Sequence, residues 1–187
     1  MKLLSKIILI LVCAAMLSAN AYAATPAEER AANKFVGYLN KNKNVKALEM
    51  IAADGKNKVT PQQFIKVFYN LEFQNFFYGV LNFKFIKALN ETTAFSVYSI
   101  SPAPNESFVL TIEIQRPRAE QYYRQYKQSF DQSLNKGLSN PDYSKALDKY
   151  LSENIVDINF AYETVYVRMY LYQEGKNWIL SFPANYL

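Results

Sequence analysis

The sequence predicts an α+β fold, with N-terminal helices packed on an antiparallel sheet of about five to six strands and a helical hairpin inserted before the last strands. Three observations predict it. Thr25-Pro26-Ala27-Glu28 and Thr60-Pro61-Gln62-Gln63 each set a capping residue, a proline at the first helical position, and an acid or amide three residues after the cap. Beyond residue 80 the apolar period changes from the helical to the strand value. Tyr162–Pro183 holds two alternating runs around Gln173-Glu174-Gly175-Lys176-Asn177, the pattern of a β-hairpin.

Residues 1–23 read as a signal peptide. Lys2 and Lys6 precede an apolar run, Ile7 to Leu17, that is too short to span a bilayer comfortably. Ala21-Tyr22-Ala23 has the small-residue form of a cleavage site, with cleavage expected after Ala23. An uncleaved anchor is the alternative. Residues 24–187 then form one α+β domain, periplasmic or secreted, with no further membrane span. Cys13 is the only cysteine. An exported domain without disulfides depends on its core, and a chain of this length buries roughly two-thirds of its unfolded surface.

The elements follow in order. A first helix runs from Pro26 to about Asn40, with Ala31, Phe35 and Leu39 at helical spacing. A second carries Val45, Leu48, Ile51 and Ala52 and stops before Gly55. The third starts at Thr60 and continues through Phe64, Phe68 and Leu71 to Gly79. Leu81, Phe83 and Phe85 alternate with polar neighbours, which predicts a strand, and Asn90-Glu91-Thr92 predicts a turn. A second strand sets Phe95 and Val97 on one face and Tyr98 and Ile100 on the other, and Pro102-Ala103-Pro104-Asn105 breaks it. Phe108, Leu110, Ile112 and Ile114 form the inward face of a third. Residues 118–153 return to helical spacing as a hairpin, with Tyr123, Tyr126, Tyr143 and Tyr150 on its apolar faces. Val156, Ile158 and Phe160 begin another strand, leading into the terminal hairpin. That hairpin reads as the centre of the sheet, covered on both faces.

Histidine is absent, and with it the commonest general base and metal ligand. Zinc, copper, haem and iron–sulfur sites, and any Ser-His-Asp or Cys-His machinery, are not expected; no cofactor and no catalytic residue is assigned. The chain carries a formal charge of +5. Lysines cluster between residues 34 and 66, so Lys41, Lys43, Lys46, Lys56 and Lys58 offer a surface for a partner or an anionic envelope component; a solvated helical face is the other reading. No Arg cluster or nucleic-acid motif is present. Asp142, Asp148, Glu153, Asp157 and Glu163 are carboxylates available for acid–base work, and equally ordinary surface charges. Asn90-Glu91-Thr92 and Asn105-Glu106-Ser107 match the glycosylation sequon.

Tyr162, Tyr166, Tyr170 and Tyr172 share a strand face with Arg168. Tyrosine offers apolar area with a polar tip, and Arg168 can hold an anion by two bonds. With Trp178, the residues Tyr166, Arg168, Tyr170 and Tyr172 are the candidate ligand surface. The other reading is packing beneath the inserted helical hairpin.

The order of helices, antiparallel strands and a last turn Glu174-Gly175-Lys176-Asn177-Trp178-Ile179-Leu180 resembles the nuclear-transport-factor-2-like, cystatin-like cone superfamily over perhaps two-thirds of residues 24–187. The resemblance implies a curved sheet wrapped against helices with a pocket at the wide end. The insertion at 118–153 departs from that pattern and would plug or lid the pocket, and the Asp–His pair of the family's enzymes has no counterpart here. The expected function is an exported, non-enzymatic binding or accessory protein of the bacterial envelope. It would hold an apolar or amphipathic ligand, or an envelope protein, on an aromatic sheet face. A histidine-independent carboxylate enzyme and an envelope-surface protein using the basic N-terminal helices are the alternatives.

Overall fold

The computed structural model describes residues 26–51, 59–74, 77–133, 137–155 and 159–183. The expected signal peptide, Thr25, Gly55, Lys56, Lys58 and the Val156–Ile158 part of an expected strand lie outside these residues. Three helices come first: α1 (Pro26–Asn40), α2 (Asn44–Glu49) and α3 (Pro61–Tyr69). A single 3₁₀ turn (Val80–Asn82) leads into α4 (Lys84–Glu91). Strands β1 (Ala94–Ala103) and β2 (Ser107–Pro117) are followed by α5 (Glu120–Ser133) and α6 (Asn140–Asn154), then β3 (Tyr162–Glu174) and β4 (Asn177–Ser181). The fold is α+β as expected, with an antiparallel sheet in the order β1-β2-β3-β4.

Among the described residues that sheet has four strands, not five to six; of the two further expected runs, the first is helical and the second lies mostly outside those residues. The run Val80–Phe85 is short enough to satisfy either period, and it folds as the 3₁₀ turn and the start of α4, burying Phe85, Ile86 and Leu89 on one helical face. Asp148 of α6 decides between them. Its carboxylate accepts from the Lys84 and Phe85 amides at 3.0 and 3.1 Å, satisfying orphan donors at the start of α4. Phe160, expected in a strand, lies in irregular chain, its ring edge-on to Tyr122 at 5.7 Å.

Local grammar holds at the start of α3 and fails at its end. The Thr60 side chain accepts from the Gln63 amide, and Gln63 reaches back to the Thr60 amide at 2.8 Å, a complete capping box. The helix stops at Tyr69 rather than Gly79 because Asn70 takes the left-handed conformation, φ 57°. Phe73 and Phe77 are then buried from irregular chain.

In β1 the register shifts between Val97 and Ser99, leaving Tyr98 without a cross-strand partner. This bulge corrects the expected faces. Ile100 pairs with Leu110 and returns to the side of Phe95 and Val97, while Tyr98 stands outward. Pro102 stays within β1, which is possible because β1 is an edge strand. The turn that follows carries positive φ at Asn105 and Glu106. The β3–β4 hairpin forms as expected, with Gly175 at φ 60°. Only β3 is interior, however. β4 is an edge, met by the Leu180 amide bonding to the Met50 carbonyl at 2.9 Å and a parallel bridge from Ile51. At the opposite edge the Asn40 side chain bonds both the amide and the carbonyl of Phe95, at 3.0 and 2.8 Å.

One sheet face carries Phe95, Leu110, Ile112, Ile114, Val167, Met169, Leu171 and Leu180, all buried. Phe68 of α3 sits over it, within ring contact of Phe35, Phe64, Phe95 and Phe182 at 4.7–6.3 Å. The α5–α6 hairpin forms where expected, but it packs on α4 and the segment before it. Tyr122 stacks on Phe85 and Tyr143 on Phe77, and the Tyr123 ring meets Phe73 at a tilt, 4.8 Å between centroids.

Asp148 ties that hairpin to α4, so Asp148→Ala is expected to lower stability by about 1–2 kcal/mol, the usual cost of losing a helix N-cap. Asp148→Asn, which keeps an acceptor, should recover most of it in urea unfolding. Equal losses in the two variants would show that the bonds to Lys84 and Phe85 matter little.

Candidate functional site

The second sheet face is built by strand alternation. Thr164, Tyr166, Arg168 and Tyr170 of β3 stand opposite Gln115, Glu113, Thr111 and Val109 of β2. No described helix covers this face, so the expectation that both faces of the terminal hairpin are covered is not met. Tyr98, Tyr162, Tyr166 and Tyr170 are 42–63% exposed, a large amount of ring surface for side chains of this size. The bulge brings Tyr98 into edge-on contact with Tyr166 at 4.9 Å. The Tyr166 hydroxyl donates to Glu113 Oε2 at 3.1 Å, and this bond holds the phenol above its ordinary pKa. Arg168 is exposed and lies opposite Thr111; no ion pair joins it to Glu113 among the described residues.

Four of the five expected ligand residues, Tyr166, Arg168, Tyr170 and Tyr172, therefore share one face. Trp178 does not. It alternates with Leu180 onto the core side, half-buried, its ring 6.4 Å from Phe108. Of the expected basic surface, Lys41, Lys43 and Lys46 are exposed around the start of α2, while Lys56 and Lys58 lie outside the described residues.

Two clefts lie at the end of the sheet where β3 turns into β4. The first, about 880 Å³, runs between α1, α2 and the hairpin. Its walls are mostly apolar, including Leu48, Ile51 and Trp178, and Arg30, Lys34 and Lys176 outnumber Glu49 around it. The second, about 820 Å³, lies by the β1–β2 turn and is lined by Glu28, Glu106, Phe108, Tyr172 and Trp178, among others. Sequence reasoning assigned neither cleft. Arg30, Lys34 and Lys176 come from separate elements, and nothing local marks them as neighbours.

Of the carboxylates expected for acid–base work, the four that are described have structural partners. Asp148 caps α4. Glu163 accepts from buried Arg116 at 2.7 Å, and Arg116 also donates to the Val67 carbonyl at 2.9 Å. Asp142 bonds Ser139, and Glu153 lies 3.8 Å from Lys149. Asp157 lies outside the described residues. Among those residues no group of three His, Cys, Asp or Glu gathers as a metal site needs, and no helix is long and apolar enough to cross a membrane. Of the two sequons, Asn105 is exposed in its turn. Asn90 is not in a loop: it ends α4, buried, and accepts from the Tyr69 hydroxyl, which also lies 3.2 Å from Asn44 Oδ1.

The tyrosines thus fall into two classes. Burial raises the pKa of Tyr69, Tyr122, Tyr123 and Tyr143 well above the ordinary value of 10.0. Comparison of the chain with family models, with curated proteins and with solved structures finds no match in any of the three.

A phenol whose folded pKa lies above its unfolded value stabilises the fold fully below the unfolded pKa and loses that contribution as pH rises beyond it. The protein should therefore resist mild alkali and unfold cooperatively above about pH 10. Ionisation of these four buried rings, read from tyrosinate absorbance, should coincide with loss of the circular dichroism signal. A single smooth titration with the fold intact would contradict the burial of these four rings.

Proposed function

We propose that this is an exported, non-enzymatic binding protein of the bacterial envelope, and that the tyrosine face of its sheet holds an amphipathic ligand of the saccharide class. The observation that carries the reading is the composition of that face. Tyr98, Tyr162, Tyr166 and Tyr170 supply exposed rings. Between them lie hydrogen-bonding side chains: Ser96, Ser99, Thr111, Glu113, Gln115, Thr164 and Arg168. Aliphatic side chains are few, which argues against a fatty ligand. A sugar ring offers an apolar C–H face to stack on a phenol and hydroxyls at its edge to bond the polar neighbours. Tyr162, Tyr166 and Tyr170 recur every fourth residue, about 13 Å apart along a strand. That spacing suits an extended oligosaccharide better than a single sugar. Because tyrosine loses little side-chain entropy on binding, such a face gains contact area at low cost.

A second reading rests on the basic cleft. Its apolar walls with Arg30, Lys34 and Lys176 at hand suit an amphiphile with an anionic head, and exposed Lys46 lies on the neighbouring α2 with Lys41 and Lys43 just before it. This is the form in which an envelope-surface role is supported.

One titration separates the two. Soluble peptidoglycan fragments and an anionic single-chain phospholipid are added in turn to the protein purified from an exporting host, followed by calorimetry. The saccharide reading predicts binding of the fragments that weakens at least tenfold, roughly 1.4 kcal/mol, in the Tyr166→Ala/Tyr170→Ala double variant. Both positions are exposed, so its unfolding midpoint should change little. Binding of the phospholipid alone, lost in Lys34→Glu, would favour the cleft. Fragment binding untouched by the double variant would refute the tyrosine face.

A further inference from the structure

The cleft beside the β1–β2 turn holds an anomaly that the saccharide reading does not use. Glu28 of α1 is buried, 6% exposed, and its Oε2 atom has no hydrogen-bond partner among the described residues. A carboxylate removed from water without a partner is costly, because hydration is lost and nothing replaces it. Buried Arg116, by contrast, has both Glu163 and a backbone carbonyl, while Glu120 Oε2 also lacks a partner but lines neither of the two clefts. Glu28 instead lines an open cleft.

The rest of that cleft has a consistent character. Among the described residues its only charged lining side chains are Glu28 and Glu106, with no lysine or arginine. Phe108 and Trp178 meet there nearly edge to face, with centroids 6.4 Å apart and planes at 61°, and Tyr172 contributes a third ring. Aromatic faces carry negative quadrupole density and attract cations, most strongly at tryptophan. Acid and rings together favour one kind of ligand.

We propose that this cleft binds an organic ammonium group, with the Glu28 carboxylate as its counter-ion and the Phe108, Tyr172 and Trp178 rings as its walls. The ammonium would offset the uncompensated charge of Glu28 while its carbon skeleton covers the rings. A bare metal ion would leave the aromatic walls unused. A neutral ligand would leave the carboxylate uncompensated. The proposal rests on Glu28, Phe108 and Trp178, which the saccharide reading does not use; Tyr170 and Tyr172 border both sites. The ammonium group has two chemical sources, a free alkylamine or the amino group of an amino sugar.

Trp178 is the only tryptophan in the chain and lines both clefts, so its fluorescence reports binding at either, and Glu28→Gln assigns the response to this one. The test titrates the full chain, purified from an exporting host, with putrescine and with glucosamine. Butane-1,4-diol and N-acetylglucosamine serve as uncharged counterparts, and potassium chloride as the ionic-strength control. The expected result is a saturable change with at least one of the two amines and none with its uncharged counterpart; the tighter amine names the source. Glu28→Gln, which keeps shape and removes the charge, should weaken that binding at least tenfold and abolish the rise in unfolding temperature that the amine gives the parent. If Glu28→Gln fails to fold, Phe108→Leu serves in its place, and loss of one aromatic wall should weaken binding several-fold. No response to either amine, an equal response to the uncharged counterparts, or an affinity unchanged in a folded variant would overturn the proposal. Tyr166 does not line this cleft, so the fragment titration with Tyr166→Ala alone reads the tyrosine face separately, and either idea can fail alone.

Discussion

Phe68 is the side chain on which the two layers of this protein meet. It lies on α3, fully buried, and touches rings from α1, from its own helix, from β1 and from the residue after β4. A sheet with one apolar face must be covered on that face, and without cysteines beyond Cys13 the cover cannot be stapled. Aromatic packing takes that role. Phe35, Phe64, Phe85 and Phe95 extend the same layer, and the α5–α6 hairpin continues it through Tyr122, Tyr123 and Tyr143. Every helix described here packs into this one-sided arrangement.

The consequence is an open second face. The α5–α6 hairpin is the element that would otherwise have covered the tyrosines of β3. It is held elsewhere, by Asp148 at the start of α4, by the Ser144 hydroxyl accepting from the Tyr78 amide at 3.1 Å, and by stacking on Phe77 and Phe85. The same packing that completes the core therefore leaves Tyr98, Tyr166 and Tyr170 in solvent. Aromatic side chains serve two roles in this chain, and position relative to the sheet separates them.

Signals written in a few consecutive residues were legible. Thr60-Pro61-Gln62-Gln63 began a helix, Gly175 turned a hairpin, and the alternation of β2 and β3 named both faces correctly. Signals that depend on distant partners were not. The Val80–Phe85 run fits strand or helix equally until Asp148, more than sixty residues away, caps it as a helix. Asn70 ended α3 inside an unbroken apolar pattern, because a left-handed asparagine leaves hydrophobic spacing intact. The bulge at Tyr98 moved Ile100 to the core side, which a strict period of two cannot anticipate. At the candidate site, the tyrosines and Arg168 were placed on one face because they share a strand. Trp178 was placed with them although it stands on the other face, and Glu28 was read only as part of a helix cap. Its burial comes from tertiary packing and has no local signature.

The account turns on the division between the open and the buried tyrosines, and ring-labelled tyrosine NMR during titration with soluble peptidoglycan fragments tests it most directly. It predicts that resonances of Tyr98, Tyr166 and Tyr170 shift together and saturate, while those of Tyr69, Tyr122, Tyr123 and Tyr143 stay in place. Shifts confined to the buried rings, or spread evenly over both classes, would contradict it.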